Sequence, residues 1–195
     1  MKVRPLLNYG SVVLLALLTG IPMAAADETD ALKPDQFLRI WKILGPISAF
    51  EEGVPKTVDG AKASSFDADL LAEAGGETGA DANASNEVLI RGKSVTWTSV
   101  TSDSDEIDLR EAVENHTWSI AYAETTFHVT EATQCALGIG SDDAVRVWLN
   151  GELVHDNWTT RPLRKDDDLV PVSLMKGDNR LLLKVLNRLV EARHL

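Results

Sequence analysis

Cysteine is almost missing from this chain. Cys135 stands alone, so no internal disulfide staples the fold, and its alternation with Leu137 and Ile139 reads as a buried core thiol rather than a nucleophile. Long apolar runs are also lacking. The stretch Val12 to Leu18 falls far below the roughly 18 residues a membrane helix needs, so no membrane partner is expected. Positive charge is scarce, with 19 Lys and Arg against 30 Asp and Glu. The one basic stretch, Arg161 to Lys165, runs straight into Asp166-Asp167-Asp168, which argues against nucleic acid as a partner. His116, His128, His155 and His194 show no His-x-x-x-His spacing and no paired cysteine, so zinc is not supported. Nothing marks a nucleophile with its base or a carboxylate pair, and the chain is expected to be non-catalytic.

What is present begins with an address. Lys2 and Arg4 precede the apolar run, and Gly20, Pro22 and Ala24-Ala25-Ala26 follow it, the grammar of a secretory leader cleaved after Ala26. A secreted or periplasmic location is the expectation. Cleavage removes two positive charges and no negative one, moving the net charge from −11 to −13. Residues 27–195 then suit one domain large enough for its own core.

Along that domain, Phe37 to Leu44 reads as a strand stopped by Gly45-Pro46. Ser64-Ser65, with Phe66, Leu70, Leu71 and Ala74 ahead of Gly75-Gly76, predicts one short helix with an N-cap and a glycine stop. Residues 75–86 hold no large apolar side chain and read as a mobile surface loop. Alternation then dominates: Val95, Trp97 and Ser99; Trp118, Ile120 and Tyr122; Cys135 to Ile139; Val145 to Leu149; Leu169 to Leu174; Leu181 to Val185. Large residues at every second position mark strands. Asn150-Gly151 predicts a two-residue hairpin turn, since both centres need positive φ, and Lys176 to Asn179 marks another reversal. The fold class is therefore all-β, a sandwich or jelly roll with at most one short helix.

The string Leu137-Gly-Ile-Gly-Ser-Asp-Asp-Ala-Val-Arg-Val-Trp-Leu-Asn-Gly151, with Val170 to Val185 after it, resembles galactose-binding-like β-sandwich domains of secreted bacterial proteins. Trp41-Lys42-Ile43-Leu44-Gly45-Pro46 is similar to that family's first strand, with Ile47 in the place of its usual aromatic. The resemblance implies a carbohydrate-binding accessory module, with a polysaccharide or glycan as partner. Its rival is a structural or protein-interaction domain with a protein partner. The string also resembles PA14 domains, and Asp156-Asn157-Trp158 adds to that likeness. Some of their sugar-binding members hold calcium with paired aspartates, which implies Asp142 and Asp143 as metal ligands and calcium as a cofactor; Ala144 stands where those members carry Gly. Both families normally continue with a further strand after a position like Asn187, so Arg188 to Leu195 reads either as a shortened last strand or as the mark of a truncated relative.

Sugar recognition pairs aromatic faces with polar side chains. Of the tryptophans at 41, 97, 118, 148 and 158, Trp97 and Trp118 share their alternation with Val95 and Ile120 and read as core. Trp148 is out of phase with Val145, Val147 and Leu149, while Trp158 lies in a polar loop. These two, with Asp156 and Arg161, form the expected ligand-binding set. For Asp142-Asp143 three readings stay open: a turn that caps its own backbone, a calcium pair, or a sugar contact.

Overall fold

The computed structural model describes residues 2–5, 31–79, 81–109 and 117–188. The remainder of the predicted leader, His116, His194 and the residues after Arg188 lie outside the described residues. Among the described residues there are ten strands: β1 (Lys2–Pro5), β2 (Ile40–Ser48), β3 (Glu87–Ile90), β4 (Lys93–Thr101), β5 (Ser119–Val129), β6 (Thr133–Ile139), β7 (Val145–Leu149), β8 (Glu152–Asn157), β9 (Asp168–Leu174) and β10 (Gly177–Asn187). They form a seven-stranded sheet in the order β3-β4-β2-β5-β10-β7-β8 and a three-stranded sheet β1-β6-β9. All their pairings are antiparallel. The all-β sandwich is the observed architecture.

The two faces of the large sheet explain its sequence. Trp41, Ile43, Ala121, Ala123, Val145, Val147, Leu181, Leu183 and Val185 face the small sheet, where Cys135, Leu137, Ile139, Val170 and Val172 complete the core. The residues between them, Leu44, Ile120, Tyr122, Trp148, Leu182 and Leu186, face a second core on the other side. Strands buried on both faces lose polar alternation and become apolar runs, as in Leu181-Leu182-Leu183-Lys184-Val185-Leu186. Each large aliphatic side chain buried this way contributes about 1.5–3 kcal/mol.

The second core exists because residues 49–82 fold over the outer face of the large sheet. Thr57 caps helix α1 (Val58–Ala61) by accepting the Gly60 amide at 3.0 Å, and a π-helical turn, Lys62–Phe66, continues it. A 3₁₀ turn, Ala72–Ala74, ends at Gly75 with φ 99°, and helix α2 (Gly76–Gly79) follows. The single helix expected from Ser64-Ser65 is thus broken into short pieces starting earlier. Those hydroxyls do not cap a helix start; Ser64 Oγ donates to the Gly60 carbonyl at 2.7 Å and Ser65 Oγ to the Ala61 carbonyl at 2.6 Å. Serine bonds backwards when its hydroxyl lies over the preceding turn.

Two further expectations change. Gly45-Pro46 does not stop the first strand: β2 runs through it to Ser48, with a register shift between Leu44 and Ile47. The segment 75–86 is not a surface loop throughout, because Glu77 is buried and Ala82 is 1% exposed. Its low side-chain volume lets the backbone lie close on the sheet, where Lys42 Nζ and the Glu124 carboxylate bond the Ala82 carbonyl and amide at 2.8 and 3.0 Å. The Asn150-Gly151 turn forms as the sequence predicts, with φ 52° and 85°.

Candidate functional site

A cavity of about 700 Å³ opens at one end of the sandwich. Its apolar wall comes from Trp41 on β2, Ala121 and Ala123 on β5, and Leu183 and Val185 on β10, with Ile107 and Leu109 from the loop after β4. Three polar loops make the rim. Residues 104–108 bring Ser104, Asp105, Glu106 and Asp108; residues 140–143 bring Ser141, Asp142 and Asp143; residues 160–166 bring Arg161, Lys165 and Asp166. Gly140 allows two of these loops to meet, since a Cβ there would stand 2.1 Å from the Arg164 carbonyl oxygen.

The rim is held by charge pairs. Arg161 donates to Asp168 at 2.5 Å and to Ser141 Oγ at 2.8 Å, and lies 3.6 Å from Asp167. His155 Nε2 is 3.1 Å from the same Asp168 carboxylate. The hydrogen bond from Arg161 is the main reason that Asp168 is held below its ordinary value of 3.8. Lys165 pairs with Asp105 at 3.0 Å and lies 4.2 Å from the centre of the Phe37 ring.

Asp142 and Asp143 part company. Asp142 is exposed on the rim, whereas Asp143 is 3% exposed. Asp143 Oδ1 accepts the Arg161 amide at 3.2 Å, Oδ2 accepts the Arg188 amide at 2.7 Å, and its carbonyl accepts Ser141 Oγ at 2.7 Å. Burial is the chief cause that pushes its carboxyl above the ordinary value. The Asp143 carboxylate therefore ties the 160–166 loop and the end of β10 to the turn through amides 18 and 45 positions away, and does not cap its own backbone. Among the described residues no group of three or more His, Cys, Asp or Glu converges as a metal site. Asp143→Asn, whose amide can accept from only one of the two N–H groups, is expected to lower stability by about 1–3 kcal/mol; a calcium-dependent rise in wild-type melting temperature, absent from this variant, would contradict this assignment.

The expected ligand-binding set is not brought together. Trp148 does point away from Val147 and Leu149, but that face lies beneath residues 49–82 and the indole is 4% exposed, so it offers no platform for a sugar. Trp158 is half-buried, its ring 4.9 Å from that of Phe66, with Lys62 Nζ 5.5 Å from its centre. Asp156 binds Arg146 Nε at 2.9 Å. These three sit by the covering segment, and Arg161 alone of the set lines the cavity. Trp97 is buried as expected, while Trp118 is half-buried against Phe50, ring centres 5.3 Å apart. Cys135 is a core thiol whose pKa burial pushes up to about 11.

Sequence reasoning missed the polar ties beneath residues 49–82. Lys184 Nζ, fully buried, donates to the Phe66 and Ala68 carbonyls at 3.0 and 2.6 Å and to Glu77 Oε1 at 2.7 Å. Tyr122 Oη donates to the same Glu77 oxygen at 2.6 Å. Burial lowers the Lys184 pKa and raises that of Tyr122 well above its ordinary value. Arg180 reaches the buried Glu124 at 3.3 Å. A signal was available: Lys184 is the one charge inside a run otherwise apolar on both faces.

No protein-family model matches this chain, and no curated protein matches it in sequence. Among solved structures, the chain is similar to a beta-glucuronidase from an uncultured Clostridium sp., at 14% identity and a TM-score of 0.33, over 80% of this chain and 24% of that one. The chain thus spans about a quarter of that protein's length.

Proposed function

We propose that this chain is a non-catalytic, secreted or periplasmic β-sandwich module that binds carbohydrate in the cavity at the end of the sandwich. The observation that carries the reading is the cavity itself: about 700 Å³, with an apolar wall and a rim of both charge signs. A sugar ring has the matching chemistry, an apolar face of C–H groups and a periphery of hydroxyls that donate and accept. Ile107 and the exposed Leu163 meet the first; Asp142 and Lys165 at the rim meet the second. The resemblance to galactose-binding-like domains and the predicted leader point the same way.

The test uses the protein recovered from a secreting host, on a glycan array and in polysaccharide pull-downs. Binding to at least one glycan is expected. The Asp142→Ala, Lys165→Ala double variant should weaken it at least tenfold, which corresponds to about 1.4 kcal/mol and is within reach of one charged hydrogen bond. Both side chains are exposed, so melting temperature should hardly move. The burial of Trp148 and the packing of Trp158 on Phe66 favour a second reading, a structural or protein-interaction domain without a sugar site. Failure to bind any plant, algal or bacterial glycan would leave that one standing.

A further inference from the structure

Sugars that share one ring shape are told apart by their charge, so the sign of the groups around the sandwich-end cavity bears on its ligand. Six carboxylates line it: Asp105, Glu106 and Asp108 from the loop after β4, Asp142 and Asp143 from the turn before β7, and Asp166 from the loop before β9. Three cations stand against them, Arg161, Lys165 and Arg188. The lining thus carries a local surplus of three negative charges, six less three. Its cations are engaged as well. Lys165 meets Asp105 at 3.0 Å, Arg161 meets Asp168 at 2.5 Å, and the Arg188 guanidinium lies 5.4 Å from the centre of the Trp118 ring. Asp143 is held by the Arg161 and Arg188 amides, whereas Glu106 and Asp142 are exposed and, among the described residues, meet no cation. The segments 110–116 and 189–195, outside the described residues, carry two arginines and three glutamates, so their charges do not offset the surplus.

We infer that the cavity selects glycans bearing a protonated amine, sugars with a free amino group, over N-acetylated, uronic-acid and sulfated ones. A primary ammonium donates through three N–H groups and accepts nothing, the complement of the two exposed carboxylates at the rim. A ligand carboxylate or sulfate fits in the opposite sense. It meets a surplus of like charge and finds each cation already facing a partner, so it is repelled as well as unmatched. Apolar walls strengthen both effects, because a low-dielectric cleft focuses the field of the charges at its mouth. The inference rests on the sugar-binding reading of the cavity and adds the charge of the sugar to it.

The experiment titrates the protein from a secreting host, by calorimetry, with three oligosaccharides of equal length: fully deacetylated chitin, N-acetylated chitin and galacturonate. The pH is held below the pKa of the sugar amine. The amino sugar is expected to bind at least about fivefold more tightly than its N-acetylated counterpart, the reach of two exposed ion pairs, and galacturonate not at all. Salt should shrink that ratio by screening. Glu106→Gln combined with Asp142→Asn should abolish it; both side chains are exposed, so the fold is kept. Glu51→Gln combined with Glu52→Gln removes the same charge from exposed positions outside the lining and should leave the ratio unchanged, which separates the cavity from attraction to the chain as a whole. Equal binding of the two chitin oligosaccharides, a preference for galacturonate, or equal effects of the two double variants overturns this inference and leaves the sugar-binding reading intact. So does failure of the amino sugar to bind where another glycan binds, whereas binding of no glycan at all overturns both.

Discussion

Trp148→Ala is expected to lower the unfolding free energy by about 3–5 kcal/mol, the usual cost of removing a fully buried large aromatic side chain. The indole occupies the contact between β7 and the segment 49–82, among Phe66, Leu71, Tyr122 and Leu182, and alanine leaves a cavity that a close-packed surrounding refills only in part. Chemical denaturation followed by far-UV circular dichroism measures it. If binding in the sandwich-end cavity is found, it should survive at temperatures where the variant remains folded, since Trp148 does not line that cavity. A stable Trp148→Ala protein that had lost glycan binding would restore the sugar-platform role expected from the sequence.

Lys184→Met should cost a similar amount, about 3–5 kcal/mol, because breaking a buried pair from one side leaves the other charge without its partner. Here the loss is compounded: the Glu77 carboxylate keeps only the Tyr122 hydroxyl of these two contacts, and the Phe66 and Ala68 carbonyls lose their shared donor. Adding Glu77→Gln to Lys184→Met should recover part of the loss, and a double-mutant cycle reads the coupling. Alkaline pH gives an independent check. Burial places the folded Lys184 pKa below its ordinary 10.5, so over the interval just below that pH the unfolded chain binds more protons here, and this group's contribution to stability rises with pH. In Lys184→Met that rise should vanish. An unchanged denaturation midpoint in the single variant would mean that residues 49–82 do not depend on this tie.

Residues 49–82 also explain where sequence reading stopped. β6, β7 and β9 could be read directly, because each keeps an alternating core face and their turns carry local chemistry such as Asn150-Gly151. The covering segment could not. Its helical turns are too short for a periodic apolar stripe, and its anchors are backbone carbonyls at Phe66, Ala68, Thr78 and Ala82, which look the same in any sequence. Arg161 was legible as a polar residue in a loop, but not as the partner of Asp168.

By itself the sequence determined the all-β class, the position of most strands, the tight turn after β7 and the burial of Cys135 and Trp97. These follow from period-two patterning and turn preferences, which act over a few neighbouring residues. Tertiary structure alone decided that the second face of the large sheet is covered, that Trp148 is core, that Asp143 binds backbone amides and that the cavity forms at the sandwich end. Each of these depends on groups far apart in the chain, 118 positions in the bond from Lys184 to Phe66 and 45 in that from Arg188 to Asp143. Patterning tells which face of a strand is apolar, but not which distant segment arrives to bury it.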